Sequence, residues 1–438
     1  MPGWEGEERA LAAPQRVRVA IAPVGAAHPP LQVKVGSTVA RGERLTDAGP
    51  GACYAPAGGE VVWIGQAHAP AGAAVAALEI AVAAEETAAK PVATEDWATA
   101  DQETLQAGLT ELGWHLEAWP GEPEAELPPV RAIVVFGTDE EPEIAVQRRV
   151  VATEGERLGQ GLTLLQKLFP NVRLYLVLAP GAAVPAVAGV ERIVAGERYL
   201  EHDRRLLLAR VAHVDNVTPR AAREAGFLGL TAETVAALAA SVESGLPRSE
   251  KLVTVAGPSL AAPVTVRARL GTPIAEICAQ LELDPSDGDR LLLGGRWRGF
   301  AQFDLQAPIT AETDGLTLVP AAELVPYLER PCINCGRCVR ICPVRIPVNL
   351  AGRYAEFALI DAAEQHGALA CIECGLCAYV CPAQRPLLQY MRYVRREQEL
   401  ARARALAETA AQAGAGETDP QDPAPESAAQ AEAETQTQ

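Results

Sequence analysis

The sequence predicts a multidomain α/β protein that ends in a small helical module built around clustered cysteines. Three observations carry this. Eight of the ten cysteines crowd between Cys332 and Cys381. The hydrophobic patterning switches along the chain, from period-two runs with glycine turns to alternating strand and helix patterns and back. At roughly 150 residues per domain, 438 residues of 49 % hydrophobic composition supply about three globular cores.

Residues 1–90 read as a barrel-sandwich, lipoyl-like domain. Val17, Val19 and Ile21 alternate, as do Leu31, Val33 and Val35 before the turn at Gly36, and Val61, Val62 and Ile64 follow Gly58-Gly59. No lysine stands at a hairpin tip between the halves, so the domain is expected to be scaffold and not a lipoyl or biotin carrier. Residues 91–248 read as a Rossmann-like α/β core. Ala132–Phe136 is a short buried strand; Leu158, Leu162, Leu165 and Leu168 stripe one helix face; Pro170 stops that helix; Leu174–Leu178 is the next strand. Strand, helix and strand at this spacing predict a right-handed parallel unit. Thr218 and Thr231 are N-cap candidates for a following helical pair. Residues 249–325 return to short strands, at Leu252–Val255, Val264–Val266 and Leu291–Leu293, around a helix near Ile274 to Leu281, which reads as a β-grasp-like module.

Residues 326–404 hold the chemistry. Cys332, Cys335, Cys338 and Cys342-Pro343 form one run; Cys371, Cys374, Cys377 and Cys381-Pro382 form another. Both are C-x₂-C-x₂-C-x₃-C-P. Zinc sites use two C-x₂-C pairs at a distance, whereas triplets trailing into C-P are the pattern of paired [4Fe-4S] clusters, in which the fourth cysteine of each run ligates the other cluster. This assigns Cys332, Cys335, Cys338 and Cys381 to one cluster, and Cys371, Cys374, Cys377 and Cys342 to the second. Gly336 and Gly375 let the backbone approach the cluster. Between the runs, Leu350, Tyr354, Phe357, Ala358 and Ile360 recur near helical spacing, and after Pro386 a second helix carries Leu387, Leu388, Met391 and Val394 on one face. The module is thus an α-helical two-cluster ferredoxin domain. From Pro331 to Arg404 it holds ten Arg, no Lys and six Asp or Glu, and the excess arginines are read as neutralising the clusters. Cys53 and Cys278 read as small buried apolar residues. Residues 405–438 carry no Lys or Arg and read as a disordered acidic tail.

A net charge of −18 is the wrong sign for phosphate neutralisation, so no nucleic-acid partner is expected. No run of 18 apolar residues exists, and the N-terminus lacks a basic region followed by an apolar one, so a cytoplasmic, reducing location is expected. There the cysteines serve metal and not disulfides.

Several motifs carry a further likeness: Asp215-Asn216-Val217-Thr218, Gly245-Leu246-Pro247, Leu252 through Gly257, Leu270-Gly271-Thr272-Pro273, Gly294 through Ala301, and Cys381 through Tyr390. With the cysteine runs, they resemble the C subunit of the Rnf/Rsx ion-translocating electron transport complex, a distant relative of the NADH-binding flavoprotein of respiratory complex I. The resemblance runs nearly to residue 400. It implies an SLBB-like β-grasp module, a peripheral place on the cytoplasmic face of the inner membrane held by other members of a membrane-bound redox complex, and a soluble electron carrier or redox protein as exchange partner.

The departures concern the flavin. The family's Gly-Gly-x-Gly-Phe-Pro loop is replaced by Glu111 through Gly121, with Trp114, His115 and Trp119 and no paired glycines. Its Asn-Gly-x-Glu-x-Glu-Pro element appears as Phe136-Gly137-Thr138-Asp139-Glu140-Glu141-Pro142, so Gly137, Asp139 and Glu141 are the candidates left for a degenerate flavin/NADH region. Glu117, Glu122, Glu124 and Glu126 would repel cofactor phosphates. We therefore expect two [4Fe-4S] clusters without FMN or NADH, Trp114 and Trp119 serving as packing. The leading function is an iron–sulfur electron-transfer subunit. The alternatives are an NADH-oxidising flavin/iron–sulfur reductase, of this family or the cobalamin-reductase type, and a non-catalytic assembly platform.

Overall fold

The computed structural model describes residues 8–23, 29–49, 51–69, 72, 74–92, 97, 99–116, 128–213, 218–258, 260–324 and 330–415. The chain divides into two compact units, Met1–Leu328 with the stretch Cys374–Leu376, and Glu329–Glu373 with Cys377–Gln438.

In the first unit, β1 (Glu8–Ala10) is followed by β2 (Arg16–Pro23), β3 (Thr38–Val39), β4 (Gly59–His68) and β5 (Ala74–Val82). The last four form an antiparallel sheet in the order β2-β5-β4-β3. Val17, Val61, Leu78 and Ile80 are fully buried at its centre. A bulge lies between Ala20 and Ala22, and Val19 and Ile21 pack only partly against this core.

Next come α1 (Gln102–Glu111), β6 (Ala132–Gly137), α2 (Val146–Thr153), α3 (Gly155–Leu168), β7 (Arg173–Leu178), β8 (Val190–Val194), α4 (Arg204–Ala212), α5 (Pro219–Glu224), β9 (Phe227–Thr231) and α6 (Ala232–Ser244). The four strands form an all-parallel sheet in the order β8-β7-β6-β9. β6 is buried along its whole length, as a parallel strand covered on both faces must be. Leu158, Leu162 and Leu165 of α3 are completely buried, each contributing about 2 kcal/mol of transfer free energy. α3 lies so close to α6 that a Cβ at Gly161 would sit 2.3 Å from the Val235 carbonyl oxygen. The Thr218 and Thr231 hydroxyls accept from the Ala221 and Thr234 amides, capping α5 and α6.

The third sheet holds β10 (Glu250–Ala256), β11 (Val264–Arg269), β12 (Arg290–Leu293), β13 (Phe300–Gln302) and β14 (Gly315–Val319), with α7 (Ile274–Gln280) packed on it. Its order is β1-β11-β10-β14-β12-β13, so β1 leaves the sheet of its sequence neighbours and pairs in parallel with β11. Cys278 fills its core, and burial pushes its thiol up to about 11. Cys53 is half-buried, its thiol likewise raised by burial.

The second unit is helical: α8 (Arg337–Ile341), α9 (Val348–Glu356), α10 (Ile360–Gln365) and α12 (Leu387–Ala415), with α11 (Leu376–Tyr379) beginning at the seam of the chain division. Leu387, Leu388, Met391 and Val394 are all buried, as their spacing requires. The segment between the cysteine runs departs from the expected single helix. It breaks into α9 and α10 around Ala358, which takes a left-handed φ of 55°, and Phe357 is 69 % exposed. The buried face consists of small residues, Val348, Ala351, Gly352 and Ala355, which let α9 lie close to α12. The end of the chain also departs from expectation. Ala- and Glu-rich sequence carries α12 past residue 405 to Ala415, as high helix propensity allows; residues 416–438 lie outside the described residues.

Candidate metal centre

The two cysteine runs are built alike, 39 residues apart. In each, the residue before the second cysteine is left-handed, Asn334 at φ 53° and Glu373 at 57°. The glycine after that cysteine is left-handed too, Gly336 at 69° and Gly375 at 77°. Three residues beyond the fourth cysteine, Arg345 and Gln384 repeat it at 56° and 51°. Three left-handed residues per run curl the backbone into a tight loop, a conformation that costs about 1–2 kcal/mol at each non-glycine position. Short helices, α8 and α11, start just after each glycine and carry the third cysteine.

An arginine 19 residues downstream braces each left-handed residue. Arg353 of α9 donates to the Asn334 side-chain oxygen at 3.3 Å. Arg392 of α12 donates to the Glu373 carboxylate at 2.8 Å, and Arg395 adds a second, shorter bond to it and another to the Cys371 carbonyl. The Glu373 amide points at the Cys371 sulfur, 3.3 Å away. These braces were missed in the sequence, although the recurrence of arginine at 353 and 392 follows the same 39-residue repeat as the cysteines.

Cys332, Cys335, Cys338 and Cys381 line one small cavity, together with Gly352, Pro382, Ala383 and Leu387. Burial pushes the Cys338 thiol up, and neighbouring Cys332 and Cys381 add to the shift. Arg337, Arg353 and Arg385 stand on the same walls. Arg385 is held by Glu356 at 2.5 Å. Among the described residues no three His, Cys, Asp or Glu side chains converge closely enough for a single ion. Four soft sulfur donors spread around an apolar cavity are the donor set that iron–sulfur clusters take. Of the other set, Cys342, Cys371 and Cys377 pack with the apolar core of the second unit, and Cys374 is buried.

The residues singled out for a flavin or nicotinamide are engaged otherwise. A Cβ on Gly137 would meet Val151 and the Val177 carbonyl, so this glycine serves packing. Asp139 accepts from the Gln147 and Arg148 amides at 2.8 and 3.1 Å, doing for α2 what the residue before it, Ala145, cannot. Its carboxyl is raised by burial, against the pull of Arg148. Glu141 accepts from the Trp297 amide at 3.4 Å and, more closely, from the Arg298 amide; burial lifts its pKa to about 7. Arg298 in turn binds Asp203 at 2.5 Å, the Tyr199 hydroxyl at 3.0 Å and Glu140 at 3.4 Å. Asp139 and Glu141 are thus hydrogen-bonded within the chain, and Gly137 is packed against Val151 and Val177. Trp114 is partly buried against the core cluster of the parallel sheet and also lines an open pocket with His115 and Leu116; Trp119 and Glu117, Glu122, Glu124 and Glu126 lie outside the described residues.

A family model described as a 4Fe-4S dicluster domain matches residues 325–382. Residues 325–382 are thus similar to the dicluster class of iron–sulfur domains. More particularly, the chain is a relative of the C subunit of the Rnf-type complexes. It is 28 % identical over 306 residues to the C subunit of the Na(+)-translocating ferredoxin:NAD(+) oxidoreductase complex of Acetobacterium woodii, covering 67 % of this chain and 68 % of that one. It is 30 % identical to the C subunit of the ion-translocating oxidoreductase complex of Pseudomonas aeruginosa, over 76 % of this chain and 45 % of that longer protein. With the C subunit of the proton-translocating ferredoxin:NAD(+) oxidoreductase complex of Clostridium ljungdahlii it shares 24 % over 84 % of both chains. An NAD+-reducing [NiFe]-hydrogenase aligns over 77 % of this chain and 72 % of its own at 14 % identity and a TM-score of 0.42, too loose a likeness to carry an argument. No helix among the described residues is long and apolar enough to cross a membrane.

Proposed function

We propose that the chain is the iron–sulfur electron-transfer subunit of an Rnf-type, ion-translocating membrane complex, in which it takes and gives single electrons. Cys332, Cys335, Cys338 and Cys381 hold one [4Fe-4S] cluster, and Cys371, Cys374, Cys377 and Cys342 the other; a bound cluster supplies one-electron storage. The observation that carries the reading is the cavity lined by three cysteines of the first run and the last cysteine of the second. The Arg–Asn and Arg–Glu braces hold the two loops in shape for that ligation. The three sheets are read as barrel-sandwich, Rossmann-like and SLBB-like β-grasp modules, with residues 1–90, 91–248, 249–325 and 326–404 as successive domains. The chain docks on partner proteins of the complex at the cytoplasmic face.

Gly137, Asp139 and Glu141 do not fit a flavin or nicotinamide site, because one is packed against backbone and the other two are spent on intrachain amides. A hydride donor needs a flavin to split its electron pair, since a cluster accepts one electron at a time. The electron donor is therefore another one-electron protein. The test is anaerobic reconstitution, addition of excess FMN, desalting and titration with NADH. We expect no stoichiometric FMN and no bleaching by NADH, but bleaching by a reduced ferredoxin. Bound FMN with rapid NADH-driven bleaching would restore the flavoenzyme reading.

A further inference from the structure

The two repeats of the second unit have kept their backbone and parted in charge. Positions 337, 340 and 345 are Arg in the first repeat and Leu376, Tyr379 and Gln384 in the second. Arg353 is braced on neutral Asn334, while its counterpart Arg392 is neutralised by Glu373. Among the described residues no carboxylate pairs with Arg337, Arg340, Arg345 or Arg353, and all four are exposed. The second repeat has arginines too, but Arg392 and Arg395 are paired with Glu373 and Arg385 with Glu356, so what sets the first repeat apart is arginine without a carboxylate partner among the described residues.

Apolar side chains lie among them. Ile333, 65 % exposed, lines the first cavity with Arg337 and Arg353. Ile341 stands one helical turn from Arg337, and Leu350 one turn from Arg353. The guanidinium of Arg340 lies over Gly336. Cys335 is exposed, whereas its counterpart Cys374 is buried. The first repeat thus carries exposed apolar side chains and exposed arginines without carboxylate partners among the described residues, with Ile333, Arg337 and Arg353 at the cavity that exposed Cys335 also lines, on a chain whose overall charge is −18.

We propose that this face is the docking surface for an acidic redox protein, which brings its own one-electron centre against the first cysteine cavity. The exposed apolar side chains supply contact area, and the arginines steer a carboxylate-rich partner into register, as rim charges do. This rests on the two-cluster reading.

The test uses the iron-loaded full chain and, as probe, a small two-cluster ferredoxin of net negative charge, with calorimetric Kd values at about 50 mM and about 300 mM salt. Replacing Arg337, Arg340 and Arg353 by Gln is expected to weaken low-salt binding by about tenfold, with little difference left at high salt. Arg337→Gln with Arg345→Gln, which leaves the Asn334 brace intact, should weaken it by about half that factor on a logarithmic scale. Removing exposed Arg173 and Arg210 of the first unit should change nothing. Iron content, measured on every variant, separates loss of docking from loss of a cluster. Equal Kd for wild type and the triple variant at full iron content would overturn the proposal. So would binding of the probe only after removal of residues 416–438, binding of the arginine face to anionic vesicles but not to the probe, or an arginine-dependent dimer of the chain itself.

Discussion

Glu141→Gln tests whether the acidic element after β6 is a structural peg. Glu141 is 6 % exposed and accepts two backbone N–H groups of the Trp297–Arg298 turn. Burial raises its pKa from 4.5 to about 7, with the amides and Arg298 pulling the other way and Glu143 adding to the rise. The folded state therefore holds a proton that the unfolded chain has lost between these two values. Stability from this group is fully present below pH 4.5, falls as pH rises to 7 and is level above. A shift of that size amounts to about 3 kcal/mol. A glutamine is neutral throughout and still accepts from an amide, so the variant lacks this slope. Urea unfolding at about pH 5 and pH 8, followed by tryptophan fluorescence, reads the effect. Wild type should lose about 2.5 kcal/mol more than the variant over that range, since part of the effect is already spent at about pH 5. Asp139 and Asp203, also raised by burial, act alike in both proteins and cancel in the difference. A wild-type-minus-variant difference that does not move with pH would refute the buried, proton-holding carboxyl.

Other expectations follow from the same geometry. Lys251 has no exposed side-chain surface and joins Glu233 at 2.7 Å to Asp314 at 2.8 Å; Lys251→Met should cost about 3–5 kcal/mol in urea unfolding, and Glu233→Gln added to it should recover part. Gly336→Ala and Gly375→Ala each force a left-handed backbone on a Cβ, so each should cost about 1–2 kcal/mol and lower the iron retained after desalting. Cys338→Ala and Cys377→Ala should each remove one cluster and leave part of the other's low-temperature EPR signal. A fully loaded protein after either change would sink the ligand sets.

Where the signal is local, the sequence carried it well. The cysteine spacing, the leucine stripe of α3, the β6 run and the Thr218 and Thr231 caps are each written within a turn or two of chain. What was missed depends on distant partners. β1 is three residues long, and nothing in it names β11, far along the chain, as its neighbour. Glu141 resembles a ligand until the Trp297–Arg298 turn is brought over it. The α9 region misled for another reason: its large residues, Leu350 and Phe357, face out, while alanine and glycine make the buried face. Periodicity read from bulky side chains picks the wrong side of such a helix. The arginine excess was legible as a count, but its division between the repeats was not, because pairing with Glu356 or Glu373 decides which of them lack a carboxylate partner.

The most direct test of the two-cluster relay is a reductive titration of the anaerobically reconstituted chain, with iron and sulfide analysis and low-temperature EPR spin counting at each step. Two bound clusters require four irons and four sulfides each, and two one-electron steps ending in two interacting spins. One cluster per chain, or metal content dominated by zinc with no reducible signal, would contradict the relay.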